Sequence, residues 1–469
     1  FTVFLLAIIG IRALEFSPGQ LLIKTREPVT LRGAKTGLRA LDNYLEGLGA
    51  FAAKPVKGMP SQHYFSVSIS RTPDWDRIKA NSLKFEGVEY IQPNYLRKML
   101  IEPNDPLYPQ QMHAMCSIPQ AWNLSTGSSQ VVVGVVDSGI LRDHPDLAEN
   151  VWYNDLEIPD NGIDDDNNGY IDDYCGWDFC DAPELVDEAL GDYLDPDNDV
   201  TDENFHGTHV AGIIGAVGNN ATGVSGVCWN VKIMPIRAGF RTVGGQGYLQ
   251  DDDAAAALIY GADMGCRVIN MSWGDPNYSP IIADACEYAA SRGVILVASA
   301  GNDPVPILSY PARLSEVISV GAVNKSRVIA GFSSYGVDLD LVAPGEGVLS
   351  TYKVEEGEMY FEQNGTSMSS PYVVGGIALL LSIMPELSPG EVRSRLLTSC
   401  DDLGDPGVDI KYGHGLLNVR RLLENSNPPS ISITNPSELA GISSPFEITG
   451  SIVGDDFFRY SVMRSAKPS

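Results

Sequence analysis

Val131-Val-Val-Gly-Val-Val-Asp137-Ser-Gly139 is the stretch that sets the fold. Residues 131–136, apolar apart from Gly134, run without polar alternation into an aspartate, the pattern of a parallel strand buried on both faces. Asp137 then stands at the C-terminal edge of that strand, where α/β sheets build their sites. Beyond it, short apolar strands are expected at 231–235, 268–271, 294–299, 317–320 and 339–342, and helices at 251–264, 281–291 and 389–398. This alternation predicts a doubly wound, mostly parallel α/β sheet.

Two other stretches carry complementary side chains. His206-Gly-Thr-His-Val210 leads into an apolar, small-residue run at 210–216 that reads as a buried helix. Gly365-Thr-Ser367-Met-Ser-Ser-Pro371 opens a long apolar helix expected over 368–384, with Pro371 in its first turn, where a missing N–H costs nothing. Both His206 and Ser367 would therefore sit at helix N-termini, whose N–H groups and partial positive charge favour developing negative charge. A serine hydroxyl is a poor nucleophile at neutral pH. It needs a base to take its proton and an anion to hold that base in the right tautomer. Taken alone, Asp137 reads as a cap, His206 as a solvated side chain and Ser367 as a turn residue; their contexts favour the catalytic reading. Asp, His, Ser is also one of the chain orders in which triads occur.

On these blocks the chain resembles the subtilisin-like serine proteases (subtilases, peptidase S8 family) over roughly residues 20–422. A fourth block, Ala298-Ser-Ala-Gly-Asn302, resembles the segment that carries the family's oxyanion-hole asparagine. The resemblance implies that Asn302 and the Ser367 N–H stabilise the tetrahedral intermediate. It also implies that Gly245-Gln-Gly247-Tyr248 and Ser272-Trp273-Gly274 sandwich an extended peptide, and that Tyr310-Pro-Ala312 lines the P1 pocket. Ala312 stands where many relatives have glycine, and Trp273 where they have a smaller apolar residue. Large apolar or aromatic P1 residues are expected, because no acid or base lies in these segments. The implied function is a secreted serine endopeptidase that forms an acyl-enzyme and removes its own propeptide. The alternative is a catalytically inactive surface binding or adhesion protein on the same scaffold.

The chain has 469 residues and a formal net charge of −28, which disfavours a nucleic-acid partner. The charge is uneven: residues 15–100 hold 13 Lys or Arg against 8 Asp or Glu, so a basic segment precedes an acidic body. Residues 1–14 read as the apolar part of a secretory signal peptide, too short for a transmembrane span. Residues 15–102 read as a small α+β domain, with strands at 21–23 and 64–69 and helices at 38–48 and 75–83. Val88-Glu-Tyr-Ile-Gln-Pro-Asn94 resembles the last strand of a subtilase propeptide, which implies an intramolecular inhibitor cut between about 98 and 104. Residues 103–425 form the catalytic domain, expected as a monomer acting on protein or peptide substrates. Residues 426–469 read as a linker and an incomplete immunoglobulin-like β domain. Of the seven cysteines, only Cys175 and Cys180 are close enough in sequence to invite a local bridge.

Two places invite calcium, the first of them equally readable as a solvated acidic turn. Asp164, Asp166 and Asn168 at alternate positions, followed by Gly169, form the opening half of an EF-hand-like loop, but Cys175 stands where the closing glutamate belongs. Asp195, Asp197 and Asp199 repeat that alternation. The second site rests on resemblance: Asp146, Asn220 and the carbonyls of Gly218, Thr222 and Val224, with Asp105, match the family's strong Ca²⁺ site.

Overall fold

Alternation of apolar residues along four strands builds the first unit, in which β1 (Phe16–Thr25), β2 (Ala50–Pro55), β3 (Tyr64–Ile69) and β4 (Val88–Tyr95) form an antiparallel sheet of order β2-β3-β1-β4. Leu21 and Ile23 on β1 and Phe65, Val67 and Ile69 on β3 point to one face, as the two-residue period requires. Leu41 and Leu45, four apart on the helix Arg39–Gly47, close that face into a core. The computed structural model describes residues 16–60, 62–71, 85–95, 101–185, 188–353, 357, 359–424, 430–435 and 449–453, and the chain divides into units 1–99 and 100–469. The expected signal segment, the helix at 75–83 and residues 98–100 of the expected cleavage window lie outside the described residues.

The second unit is organised by a seven-stranded parallel sheet. Its strands are β5 (Gly127–Asp137), β6 (Trp177–Asp178), β8 (Asn230–Arg237), β11 (Val268–Met271), β12 (Ile295–Ser299), β13 (Val317–Val323) and β14 (Leu341–Pro344), in the order β14-β13-β12-β11-β5-β8-β6. Successive residues alternate between two apolar cores. Val268, Ile295 and Val297 face the helices His206–Gly215 and Thr366–Ile383, whereas Ile269, Leu296 and Ala298 face Asp251–Asp263 and Pro280–Ser291. Both faces are covered, so the strands are apolar throughout. Strand β14 begins two residues later than expected, because the N–H of Leu339 closes a turn onto the carbonyl of Gly336.

A small sheet of order β10-β9-β7, from Ala189–Leu190 (β7), Gly239–Thr242 (β9) and Gly247–Leu249 (β10), flanks the main sheet. Val348–Thr351 (β15) pairs antiparallel with Tyr360–Gln363 (β16). In the tail, Ser430–Asn435 (β17) pairs antiparallel with Thr449–Val453 (β18). All seven cysteines are free and buried, Cys175 and Cys180 included. Among the described residues one helix, Thr366–Ile383, is long and apolar enough to cross a membrane, and it is buried in the core.

That helix starts earlier than expected. With Thr366 as its first residue, Pro371 lies beyond the first turn. Its missing N–H would have bonded the carbonyl of Ser367, four residues back. The Ser272 hydroxyl takes up that carbonyl instead, at 2.8 Å, so the interruption is satisfied from the neighbouring strand end.

Candidate active site

Asp137 is the last residue of β5 and is 3% exposed. Its Oδ1 accepts the Ser138 N–H at 2.8 Å and lies 2.7 Å from Nδ1 of His206. His206 is the first residue of its helix. Nδ1 facing a carboxylate carries the proton, which leaves Nε2 free to accept one. Burial works against a charged imidazole here, but Asp137, by charge and hydrogen bond, and the charge of Asp202 outweigh it, so the His206 pKa is raised above its ordinary value. His209 takes no part. Its Nε2 faces the carbonyls of Val348 and Phe361, both at 3.0 Å, and burial pushes its pKa down to about 3.

Ser367 opens onto the same cleft, of about 860 Å³, as Asp137, His206, Ser272, Trp273, Gly274 and Asn302. Its hydroxyl donates to the carbonyl of Ser272 at 2.9 Å, while the Ser272 hydroxyl donates to the carbonyl of Ser367. The two backbones thus hold each other. Asn302 is oriented by Thr366, whose N–H and hydroxyl donate to its Oδ1 at 2.8 and 3.0 Å. A backbone N–H can only donate, so the amide oxygen must face Thr366 and the NH₂ group must face away from it. A methyl built on Gly365 would lie 3.6 Å from both Nδ2 of Asn302 and the N–H nitrogen of Ser367. Both nitrogens, with the sulfur of Met368, therefore lie 3.6 Å from one point beside Gly365.

Gly247, Tyr248 and Leu249 of β10 line the cleft, opposite Ser272, Trp273 and Gly274. Trp273 is pinned by its indole N–H, which donates to the carbonyl of Val136 at 2.9 Å. Two residues expected in these walls lie elsewhere. Gly245 sits in the β9–β10 turn with φ +82°, its N–H on the carbonyl of Thr242, so the turn's left-handed backbone explains the glycine. Ala312 is 2% exposed and packs in the core with Leu296 and Val317; Ser309, Tyr310 and Leu314 line the cleft instead.

Asp202 was not singled out by its sequence, yet it is 1% exposed and bound into the same network. Its carboxylate accepts from Ser138, Phe205 and Thr208. Burial, chiefly, pushes its pKa up to about 6, with the charge of Asp137 adding to it against the hydrogen bonds from Thr208 and Phe205.

The expected calcium ligands gather in two places. Asn220 donates to Asp146 at 2.8 Å, Val224 N–H to the same carboxylate at 2.8 Å, and Asp105 accepts from Asn219 and Asn220 N–H. Asp146 is fully buried, which pushes its pKa up to about 6 despite hydrogen bonds from Asn220 and Val224. Among the described residues, the carbonyls of Gly218, Thr222 and Val224 accept no hydrogen bond. Free carbonyls on the segment 218–224 that bonds this buried carboxylate suit a hard cation. In the acidic loop, Asp164 and Asp166 are joined by Glu157, the three offering oxygens within 4.8 Å of one another. Glu157 is 6% exposed, and its Oε2 has no hydrogen-bond partner. The loop lacks a glutamate at its end, and Glu157 approaches it from ahead of its start. Asn168 turns its side-chain oxygen to the N–H of Tyr170 at 2.8 Å, just as Asn220 turns its own to the N–H of Thr222 at 2.7 Å. Asp197 approaches Asp178 and Asp192, but the buried guanidinium of Arg237 already pairs with Asp178.

The profile of the subtilase family (Peptidase_S8) matches residues 128–415. The chain is 35% identical over 368 residues to the thermophilic serine proteinase of Bacillus sp. (strain AK1), covering 74% of this chain and 80% of that protein. It is 36% identical to the halolysin-like extracellular serine protease Nep of Natrialba magadii, covering 72% of this chain and 56% of Nep. Among solved structures, proteases from Pseudoalteromonas arctica PAMC 21717 are similar with a TM-score of 0.56 and 29% identity, covering 68% of this chain and 98% of that one.

Proposed function

Because the chain belongs to the subtilase family and is a serine endopeptidase, we propose that Asp137, His206 and Ser367 form its catalytic triad, and that it is secreted and removes its own propeptide. His206 takes the proton of Ser367 on Nε2 as the hydroxyl oxygen attacks the scissile carbonyl, and Asp137 holds Nδ1–H and the imidazolium that forms. The former carbonyl oxygen gains a full charge. Asn302 Nδ2 and the Ser367 N–H bind it in a site already shaped for it. His206 then gives the proton to the leaving amine, and water opens the acyl-enzyme by the same steps in reverse.

The substrate runs as an added strand along β10, the edge of its small sheet, with Ser272–Gly274 opposite. Backbone bonding there is tolerant of sequence, as suits an endopeptidase. Residues 15–102 inhibit the enzyme until the same nucleophile releases them. Export is supported by a relative named extracellular. The observation that carries the triad is the 2.7 Å pair between Asp137 and His206 at the cleft that Ser367 and Asn302 line. Treating the active enzyme with a fluorophosphonate should stop casein hydrolysis and add the reagent's mass to the peptide containing Ser367. Loss of activity with the label on any other residue would overturn the assignment.

Calcium is the proposed structural cofactor, held by Asp105, Asp146, Asn220 and the carbonyls of Gly218, Thr222 and Val224, with a second site at Glu157, Asp164 and Asp166. Hard oxygen donors supply no step of the reaction. A cation bound only by the folded state stabilises it by about 2.7 kcal/mol at a hundredfold excess over Kd. Chelation should therefore lower the Tm of the inhibited enzyme by about 4 °C for each site emptied, and Asp146→Ala should remove much of that response. Glu157→Gln should remove the part due to the second site. Identical melting in EDTA and in millimolar Ca²⁺ would end the calcium proposal at both places.

A further inference from the structure

We propose that Asp202 is a positioning residue for His206, fixing the backbone on both sides of it and facing its imidazole with a second buried negative charge. This rests on the reading of His206 as the general base.

The geometry is a cage around one residue. Oδ1 of Asp202 accepts from Asn204 N–H at 3.0 Å, Phe205 N–H at 2.7 Å and the Ser138 hydroxyl at 2.9 Å. Oδ2 accepts from the N–H and hydroxyl of Thr208 at 2.8 and 2.7 Å. The Ser138 hydroxyl in turn accepts from Gly207 N–H at 3.0 Å. Of the backbone N–H groups from 204 to 208, every one but that of His206 is thus tied to Asp202 directly or through Ser138.

The cage has strain to contain. Phe205, immediately before the base, has φ +69°, a left-handed backbone that a bulky side chain adopts only when its surroundings impose it. On the other side, a methyl on Gly207 would meet the carbonyl oxygen of Gly139 at 2.2 Å and Cβ of Asp137 at 3.1 Å, so the helix start is pressed against the end of β5. A side chain set between a left-handed residue and a tight backbone contact has little freedom to drift from Asp137.

An ordinary helix cap would explain the bonds to Phe205 and Thr208. It would not explain a carboxylate with almost no exposure, joined to Asp137 through one hydroxyl and close enough for its charge to act on His206. The charged and titratable groups around the imidazole are Asp137 at the end of β5, Asp202 in the preceding loop and His209 on the same helix, with Tyr352 near Asp202. His209 is held neutral by burial. The two carboxylates therefore dominate the field at His206.

The test is the pH profile of kcat/KM for a neutral peptide substrate, measured on matured Asp202→Ser and Asp202→Asn enzymes beside the parent. In the parent, activity should fall as pH drops through a value above the ordinary 6.5. Removing the second charge should move that inflection down by about one pH unit and lower kcat about tenfold above it, with KM within about twofold. Asp202→Glu, which keeps the charge, should hold the inflection while losing some kcat. An active Asp202→Ser enzyme with an unmoved inflection would overturn the proposal, and so would failure of both neutral variants to fold, since Asp202 would then be a structural anchor alone. Full activity in His206→Ala would instead overturn the reading of His206, so the two failures are distinguishable.

Discussion

Ser367→Ala should lower kcat by about a millionfold, the loss that nucleophile removal causes in subtilisin, a member of the same family. The same change should leave the chain uncut between its two units, because one hydroxyl serves both peptide hydrolysis and propeptide removal. Folding should survive. The only protein partner of the Ser367 hydroxyl among the described residues is the carbonyl of Ser272, a bond whose net contribution is about 1 kcal/mol. Three readings check this together: full-length protein on a gel, no casein hydrolysis, and a melting temperature close to that of the inhibited parent. A mutant that matured normally in a host without other proteases would refute the nucleophile assignment.

Asn302→Leu should slow turnover by about 10² to 10³ with KM little changed, since its N–H donor meets a full negative charge only in the transition state. Leucine also strips the N–H of Thr366 of its acceptor, so part of any loss could come from a shifted helix start. Asn302→Asp separates the two effects. It keeps an oxygen for Thr366 but aims a second acceptor where the amide NH₂ stood, and kcat should fall at least as far as in the leucine variant. If the aspartate variant kept most of its activity, Asn302 would be a brace for Thr366 and the oxyanion donor would have to be sought elsewhere.

Sequence made visible those parts of the site that lie within a few residues of their own support. The uninterrupted apolar run into Asp137 reads as a doubly buried strand, and the small residues after His206 and Ser367 read as helices packed closely against one. What it missed came from a distance. Asp202 reaches Ser138 across 64 positions, and Glu157 joins Asp164 from seven residues upstream, outside the loop pattern that drew attention to it. Neither has a local periodicity to betray it. The resemblance implies a pocket place for Ala312 through the match of Tyr310-Pro-Ala312 to the P1 lining, but a methyl group is readily buried, and Ala312 is 2% exposed. Pro371 was read as a marker of the first turn because proline is common there; Ser272 made a later position tolerable by bonding the carbonyl that proline left bare. Thr366–Ile383 met the length and apolarity of a membrane span for the same reason that it is not used as one: it is surrounded by protein.

That helix joins two properties that many enzymes keep apart. Its first turn presents Ser367, the proposed nucleophile, and the rest of its length is the apolar spine on which one face of the sheet is packed. Flexible catalytic loops can loosen while the body of a protein stays intact, because they open at low free-energy cost. A hydroxyl mounted on the spine has no such independence. On heating, the Ser367 hydroxyl should keep its place until the core itself gives way, so this architecture should act as a thermal fuse with one setting, activity and structure being lost together.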